Sequence, residues 1–309
     1  AGYIYLPPRN LGIDAARKQA LRADETCGKI GLVGAALSDY PEIDNLCDAI
    51  LGSLSVSSLR ADSLSETLVK RLAASGHKTI SLAPEAGSER LRKVINKGVT
   101  ETDILAAADK VFRADIPNLK LYFIIGLPTE QQEDIEAIAD MARKVHEVQL
   151  EHGRPRGRIG RITLSVNSFV PKPFTPFQWE PMEDVASLNR KLRFLEKAVR
   201  GIGNMNIIHD LPKWEYFQAL LSRGDRRLGK LLLAAHARGE DWKAAARETG
   251  MDLDFYVTRR RGFDEVLPWD FIDIGVRKAY LRNEYERSLE GTFTPPCKVG
   301  TCKACGVCK

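Results

Sequence analysis

Four of the six cysteines in this chain lie within its last thirteen residues: Cys297, Cys302, Cys305 and Cys308, spaced C-x4-C-x2-C-x2-C. Thiolates this close in sequence can converge on one metal centre, and they are soft ligands suited to zinc or to iron–sulfur clusters. The start of the chain lacks the basic stretch and long apolar core of a secretory signal, so these cysteines read as metal ligands rather than disulfides. Gly300 and Gly306 give the backbone freedom to wrap a metal. Lys298, Lys303 and Lys309 offset thiolate charge.

A second set of candidates follows apolar runs along the chain. Ser38 and Asp39 come after the run from Lys29 to Ala36 and can accept hydrogen bonds from an ammonium group. Capping of the next helix is the structural alternative. Arg60 follows Leu54 to Leu59 and suits a carboxylate, a phosphate or a surface ion pair. Glu85 follows Lys78 to Ala83 and can accept from ribose hydroxyls. Gly87-Ser88 reads as a helix N-cap that can also meet a polar ligand, and Glu89-Arg90 as ordinary helix surface. After Leu119 to Ile125 comes Gly126-Leu127-Pro128-Thr129-Glu130, where Gly126 permits close approach and Thr129 can cap the helix. The five histidines are scattered, with His209 the least certain of them, and no Ser/His/Asp order suggests a hydrolase.

These positions imply strands that place them. The first two-thirds of the chain alternate strand-like and helix-like segments. Helices are predicted over about Ile13–Asp24, after Pro41, after a Ser63-x-x-Glu66 capping box, over Ser88–Phe112, over Glu130–Val148 and over Asp184–Val199. Ile162 to Val166 is a fifth strand, and Asn206 to His209 one more. Regular β-α alternation with apolar strands implies an α/β fold with a parallel sheet, doubly wound or closed as a barrel. Either form puts its ligand site at the carboxyl ends of the strands. The residues divide as 1–205, the α/β part; 206–290, mainly helical; and 291–309, the Cys-rich tail.

Composition bounds the rest. The 309 residues are 44% hydrophobic and 28% charged, with a net charge of +5. That charge does not by itself argue for nucleic acid. No run of eighteen apolar residues exists to span a membrane, and the expected location is the reducing cytoplasm. The basic loop from Arg154 to Arg161 and the run Arg259-Arg260-Arg261 read as solvated faces or polyanion contacts. Cys27 and Cys47 read as small buried apolar residues.

Three segments carry a family resemblance: SLAPEAGSERLR from Ser81 to Arg92, YFIIGLPTE from Tyr122 to Glu130, and SVNSFVPKPFTPFQW from Ser165 to Trp179. Together they resemble radical S-adenosylmethionine (SAM) enzymes, closest to the branch with a cobalamin-binding domain ahead of the radical domain. The CGVC ending also occurs in an uncharacterised subfamily of that branch. The resemblance covers about residues 1 to 205. It implies a partial, TIM-like (β/α)6 barrel in which a [4Fe–4S] cluster reductively cleaves SAM to methionine and a 5′-deoxyadenosyl radical that abstracts hydrogen from substrate. It further implies that Ser38 and Asp39 contact the methionine amino group and Arg60 its carboxylate. Glu85 and Ser88 would lie by the ribose and sulfonium, and Ile124, Ile125 and Gly126 would hold the adenine. A reducing donor such as flavodoxin or ferredoxin would supply electrons, and cobalamin-linked methyl transfer would require the upstream domain.

The sequence departs from the family in lacking C-x3-C-x2-C after the first strand. The expectation is that the chain starts just downstream of that loop and is inactive alone; a degenerate homologue is the competing account. The tail's C-x2-C-x2-C run resembles the ferredoxin pattern more than the paired cysteines of zinc ribbons, so an auxiliary cluster is expected there, with zinc the alternative. The other functional class is a cofactor-less barrel with a C-terminal zinc knuckle, binding RNA or protein through its basic loop and arginine run. The substrate is not legible.

Overall fold

Alternation within the strands decides how the sheet is used. In Asn118–Ile125, and in Ile162–Ser168 up to Val166, every second residue is a large aliphatic or Phe, with Lys, Tyr, Thr, Ser or Asn mostly between them. Successive strand side chains point to opposite faces. One face is therefore apolar and the other largely polar, where a sheet covered on both sides would be apolar throughout.

The computed structural model describes residues 6–34 and 37–308. Its strands are β1 (Lys29–Leu32), β2 (Ser53–Val56), β3 (Thr79–Glu85), β4 (Asn118–Ile125), β5 (Ile162–Ser168) and β6 (Met205–His209). All pairings are parallel. β1 pairs with β2, and β3 to β6 form a four-stranded sheet in chain order. A single parallel bridge, Leu59 with Leu82, links the segment after β2 to β3. The helices are α1 (Ile13–Thr26), α2 (Ile43–Ala49), α3 (Glu66–Ala74), α4 (Glu89–Val94), α5 (Glu101–Arg113), α6 (Gln132–Gly153) and α7 (Val185–Val199). After β6 come α8 (Pro212–Arg223), α9 (Leu228–Ala237), α10 (Trp242–Thr249), α11 (Asp254–Val257) and α12 (Lys278–Leu289). The α/β alternation is as the sequence implies. β6 straddles residue 205, so the sheet continues past the end of the α/β part drawn from sequence.

The core lies between the sheet and its helices. Leu119, Leu121, Phe123 and Ile125 of β4 and Ile162, Leu164 and Val166 of β5 are fully buried there with Ile104, Ile135, Ile138, Leu188 and Leu195. Among the described residues no helix is long and apolar enough to cross a membrane.

Several local expectations change. The strand predicted over Lys29 to Ala36 is formed by Lys29–Leu32, and Ala35 and Ala36 lie outside the described residues. The predicted helix Ser88–Phe112 is two helices, broken where Asn96 and Gly98 take positive φ. α3 is capped by Ser65, not Ser63; Ser63 instead donates to Asp39 Oδ1 at 2.5 Å. Thr129 does not cap α6: it sits at φ 65°, and Gln131 with Asp134 forms the capping box. Cys47 is buried as expected, and burial, then Asp44 and Asp48, pushes its thiol up to about 12. Cys27 is exposed, which overturns its reading as a core residue.

Candidate active site at the carboxyl ends of the strands

The polar face of the sheet ends in a cavity of about 590 Å³. It is lined by the ends of β3, β4 and β5, the residues just after β5, and α8. Glu85 closes β3, Tyr122 and Ile124 come from β4, and Asn167 from β5. Register explains why they meet: Tyr122 is opposite Ser165 and Ile124 opposite Asn167, so these side chains share one face. Lys172, Asp210, Glu215 and Gln218 complete the polar border. A separate cavity of about 450 Å³ at the opposite ends of the strands is lined by Thr79, Asn118, Arg161 and Thr163 among others.

The border is held by hydrogen bonds. The amide of Ser168 donates to Glu215 Oε1 at 2.6 Å, which ties the end of β5 to α8. Lys172 Nζ donates to Ser222 Oγ at 3.1 Å, and burial lowers the pKa of its ammonium. Lys97 Nζ lies 3.1 Å from Glu85 Oε1. Glu85 sits at φ 69°, where the β3–β4 register shifts after Leu82.

Of the eight residues singled out as SAM contacts, Glu85 and Ile124 line this cavity. Ile125 faces the core, 0% exposed, so its backbone rather than its side chain is the part directed along the site; its carbonyl accepts the Phe169 amide at 2.7 Å. Gly126 is needed for its own geometry: φ is 76°, and a Cβ there would come within 2.9 Å of Leu188 Cδ2. Ser38, Asp39 and Arg60 form one cluster beyond β2. Ser38 Oγ accepts the Arg60 amide at 3.1 Å, and the Arg60 guanidinium bonds both Asp62 oxygens, at 3.0 and 2.6 Å, with Asp39 Oδ1 at 3.3 Å. Burial works against the charge on Arg60, but Asp62 and Asp39 outweigh it and raise its pKa. Ser88 is an N-cap, as read, accepting the Leu91 amide at 3.0 Å, and its hydroxyl donates to Asp134.

That last bond belongs to a lock between α4 and α6. Asp134 also takes the Arg90 guanidinium and the Gln131 amide, the latter at 2.7 Å. Burial alone would raise the Asp134 carboxyl; the bonds from Ser88, Arg90 and Gln131 win and hold it below the ordinary range. Arg90 is thus a tie between elements rather than plain helix surface. Gly87 has no side chain because α6 leaves no room: a Cβ would sit 2.3 Å from the Ile138 nitrogen.

The basic segments are exposed in part and engaged in part. Arg156 donates to the carbonyls of Phe112 and Arg113, and Arg158 pairs with Asp115 at 2.7 Å. Arg259 bonds Glu265 through both oxygens, Arg260 reaches Glu180, and Arg261 is buried. The solvated reading of that run holds for Arg260, which is exposed, and is corrected at Arg261 by its burial. His209 pairs with Glu196 at 3.2 Å.

The tail folds back onto the loop that borders the cavity. Cys305, 4% exposed, is buried with Trp179, Leu267, Trp269, Leu281 and Tyr285. Its carbonyl accepts the Arg277 amide at 2.9 Å, and Arg277 also donates to the carbonyls of Lys303 and Ala304. Phe177 of this loop meets Tyr285 edge-on on one side and Phe169, beside the cavity, on the other. Burial and then the neighbouring charges of Cys302, Cys308 and Cys305 push the Cys297 thiol up. The four sulfurs are therefore neighbours. They are not closed into a metal-holding group: no set of three or more His, Cys, Asp or Glu is so arranged among the described residues.

Sequence reasoning missed Tyr122, Asn167, Lys172, Asp210, and Glu215 of α8, as cavity residues. Polar residues alternating with aliphatics in β4 and β5 were the available signal; for α8 there was none, because its approach to β5 is long-range.

Residues 3–142 match the radical SAM superfamily. The matched stretch includes β1 to β4, Glu85 and Ile124, and ends inside α6. The uncharacterized protein MJ0966 of Methanocaldococcus jannaschii is 34% identical over 235 residues, covering 74% of this chain and 49% of that protein. The chain thus spans about half the length of this curated relative. Two crystal structures of SuiB from Streptococcus suis are similar at 18% and 19% identity, with TM-scores of 0.43 and 0.44. They cover 68% and 67% of this chain and 46% and 45% of theirs; the second is bound to S-adenosylmethionine.

Proposed function

We propose that this chain is the substrate-facing part of a radical SAM enzyme, with SAM and substrate meeting in the 590 Å³ cavity. One observation carries the reading: the superfamily match includes β3 and β4, whose carboxyl ends supply Glu85, Tyr122 and Ile124 to one side of that cavity. Parallel strands in unbroken chain order support its finer form, a partial (β/α)6 barrel.

The donors present fit SAM in kind. Glu85 can accept from ribose hydroxyls, Ile124 offers an apolar wall, and Tyr122 and Asn167 add a phenol and an amide on the same face. Ser38, Asp39 and Arg60 are already bonded to one another, so they orient the loop after β1 and would need to exchange partners to meet a methionine. A [4Fe–4S] cluster, when bound, supplies the electron that cleaves SAM. Outside the tail only Cys27 and Cys47 are present, one exposed and one buried, so the residues of this chain do not fit that catalytic cluster.

An auxiliary group at the tail is proposed on the chemistry of its donors, which are not gathered into a closed metal site among the described residues. Four neighbouring thiols, with Gly300 at φ 84° and Gly306 at φ 92° between them, are a donor set suited to iron–sulfur or zinc. Cys297, Cys302, Cys305 and Cys308 would hold it, and its place beside Trp179 would fix the loop that borders the cavity. Electron supply by a flavodoxin or ferredoxin, and methyl transfer if the whole protein carries cobalamin, are finer parts of the same proposal. The competing zinc-knuckle module draws no support from Arg261, which is buried, and Arg156 and Arg158 are exposed but already bonded within the chain.

The test is anaerobic reconstitution of the full-length polypeptide with iron and sulfide, followed by assay for 5′-deoxyadenosine. Formation of 5′-deoxyadenosine that falls at least about tenfold in Glu85→Gln or Asn167→Ala supports the reading. Intact SAM in the presence of a loaded cluster overturns it. Cobalamin content of the same preparation checks the methyl-transfer form.

A further inference from the structure

We infer that Arg223, Arg261 and Trp179 form a buried receptor for a small oxyanion. The three side chains are 0%, 4% and 1% exposed. They are joined through the backbone: the Arg261 amide donates to the Trp179 carbonyl at 2.9 Å, and Arg261 Nη2 to the Arg223 carbonyl at 2.5 Å. Arg223 itself donates to the carbonyls of Tyr256 and Arg259, each at 2.7 Å. Four nitrogens remain buried without a partner: Arg223 Nη1, Arg261 Nε and Nη1, and Trp179 Nε1.

Every one of these orphans is a donor, because guanidinium and indole nitrogens cannot accept. Buried donors without acceptors are costly, and native proteins satisfy nearly all of them. The charge does not balance either. Glu180 and Glu265 are the carboxylates whose fields favour the Arg223 charge, and each is bonded to another arginine, Glu180 to Arg260 and Glu265 to Arg259. Asp225, which acts on Arg261, is bonded to Arg227. Burial, then the charges of Arg261 and Arg259, lowers the Arg223 pKa to about 10. The Trp269 ring, 5.2 Å from the Arg261 guanidinium carbon, offers a π face but no anionic partner. What the cluster lacks is an acceptor with negative charge and several oxygens, which is the chemistry of phosphate, sulfate or a carboxylate.

The oxyanion has two possible sources. Ser222, which precedes Arg223 in α8, accepts Lys172 of the cavity border, so the cluster and that border share one helix. It can take a free inorganic anion or the anionic end of a ligand seated in the cavity.

The experiment is a titration of inorganic phosphate into the full-length protein at constant ionic strength, reading indole N–H resonances of 15N-tryptophan. The expected result is a saturable shift of the Trp179 resonance while exposed Trp214 stays still, with affinity weakened at least about tenfold in Arg261→Met. Parallel titration with acetate separates the anion chemistries: saturation by both points to a carboxylate-tolerant receptor, and by phosphate alone to a phosphoryl one. A Trp179 resonance unmoved by either anion in folded wild-type protein overturns the inference. So does an equal response in Arg261→Met. Should that variant fail to fold, the wild-type titration still decides. The readout is independent of SAM cleavage, so the active-site reading and this one can fail separately.

Discussion

The amide of Gly126 donates to Glu130 Oε1 at 2.8 Å, and Lys191 Nζ meets the same oxygen at 2.6 Å. One buried carboxylate thus fixes the turn after β4 and ties it to α7. Lys191 also reaches Glu183 at 2.6 Å. Lys191→Met leaves two carboxylates side by side, Glu130 almost wholly buried, and should cost about 3 kcal/mol. Burial already pushes Glu130 up against the pull of Lys191. Without that ammonium its folded-state pKa rises further above the unfolded value, so stability is lost as pH rises. Urea denaturation should show a larger deficit at neutral pH than in mild acid. A pH-independent deficit would refute the pairing.

Gly126→Ala should cost about 1–3 kcal/mol, since it combines a positive φ with a contact at 2.9 Å. Chemical denaturation measures it. A change within a few tenths of a kcal/mol would mean that the turn relaxes around the new methyl.

Asp134 titrates in the opposite sense. Its carboxyl is held below the ordinary range, so its contribution is present above the unfolded pKa of about 3.9 and lost as pH falls through the folded value. Asp134→Asn should therefore destabilise by about 1–2 kcal/mol at neutral pH. The gap from wild type should close below about pH 4. Thermal melts of both proteins across that range give the answer.

Cysteines inside and outside the tail should behave differently. Cys305→Ser should lower bound iron or zinc in the reconstituted protein, and Cys27→Ser, an exposed lone thiol, should leave it unchanged. Metal analysis of matched preparations distinguishes them; equal metal content in wild type and Cys305→Ser removes the tail from the ligand set.

The segment before the tail is held by a reciprocal pair. Asn96 Nδ2 donates to the Thr294 carbonyl at 3.1 Å, and the Thr294 amide donates to Asn96 Oδ1 at 3.0 Å. Asn96 sits at φ 53°, which Asn tolerates better than Ala. Asn96→Ala should cost about 1–2 kcal/mol and speed proteolysis within residues 291–296, while an unchanged cleavage rate would show that the segment is anchored elsewhere.

The sequence was most legible where local pattern determines structure. The positions of β4 and β5, the start of α7 at Asp184 and the Ser88 cap of α4 follow from neighbours a few residues away. Partners were not legible. Ser88 meets Asp134 across 46 positions, and Glu215 reaches Ser168 across 47. Arg259, Arg260 and Arg261 are chemically identical and adjacent, yet one pairs bidentately, one reaches Glu180 from an exposed position and one is buried. Their differing fates depend on α8 and Trp179. Of the cavity, Glu85 and Ile124 could be read from strand ends, whereas Ser38 and Arg60 could not be separated from the ion pairs that occupy them.

Spatial order in the sheet follows chain order, and residues paired between β4 and β5, and between β5 and β6, are each 43 positions apart. A chain emerging from the ribosome can therefore add each strand to one already laid down, without waiting for distant sequence. The tail is the exception. Thr294 closes on a residue 198 positions earlier, and Cys305 settles against Trp179. The packing behind the loop that borders the cavity is thus the last part of the molecule to be completed, and a nascent chain cut short before residue 294 would carry its cavity without that support.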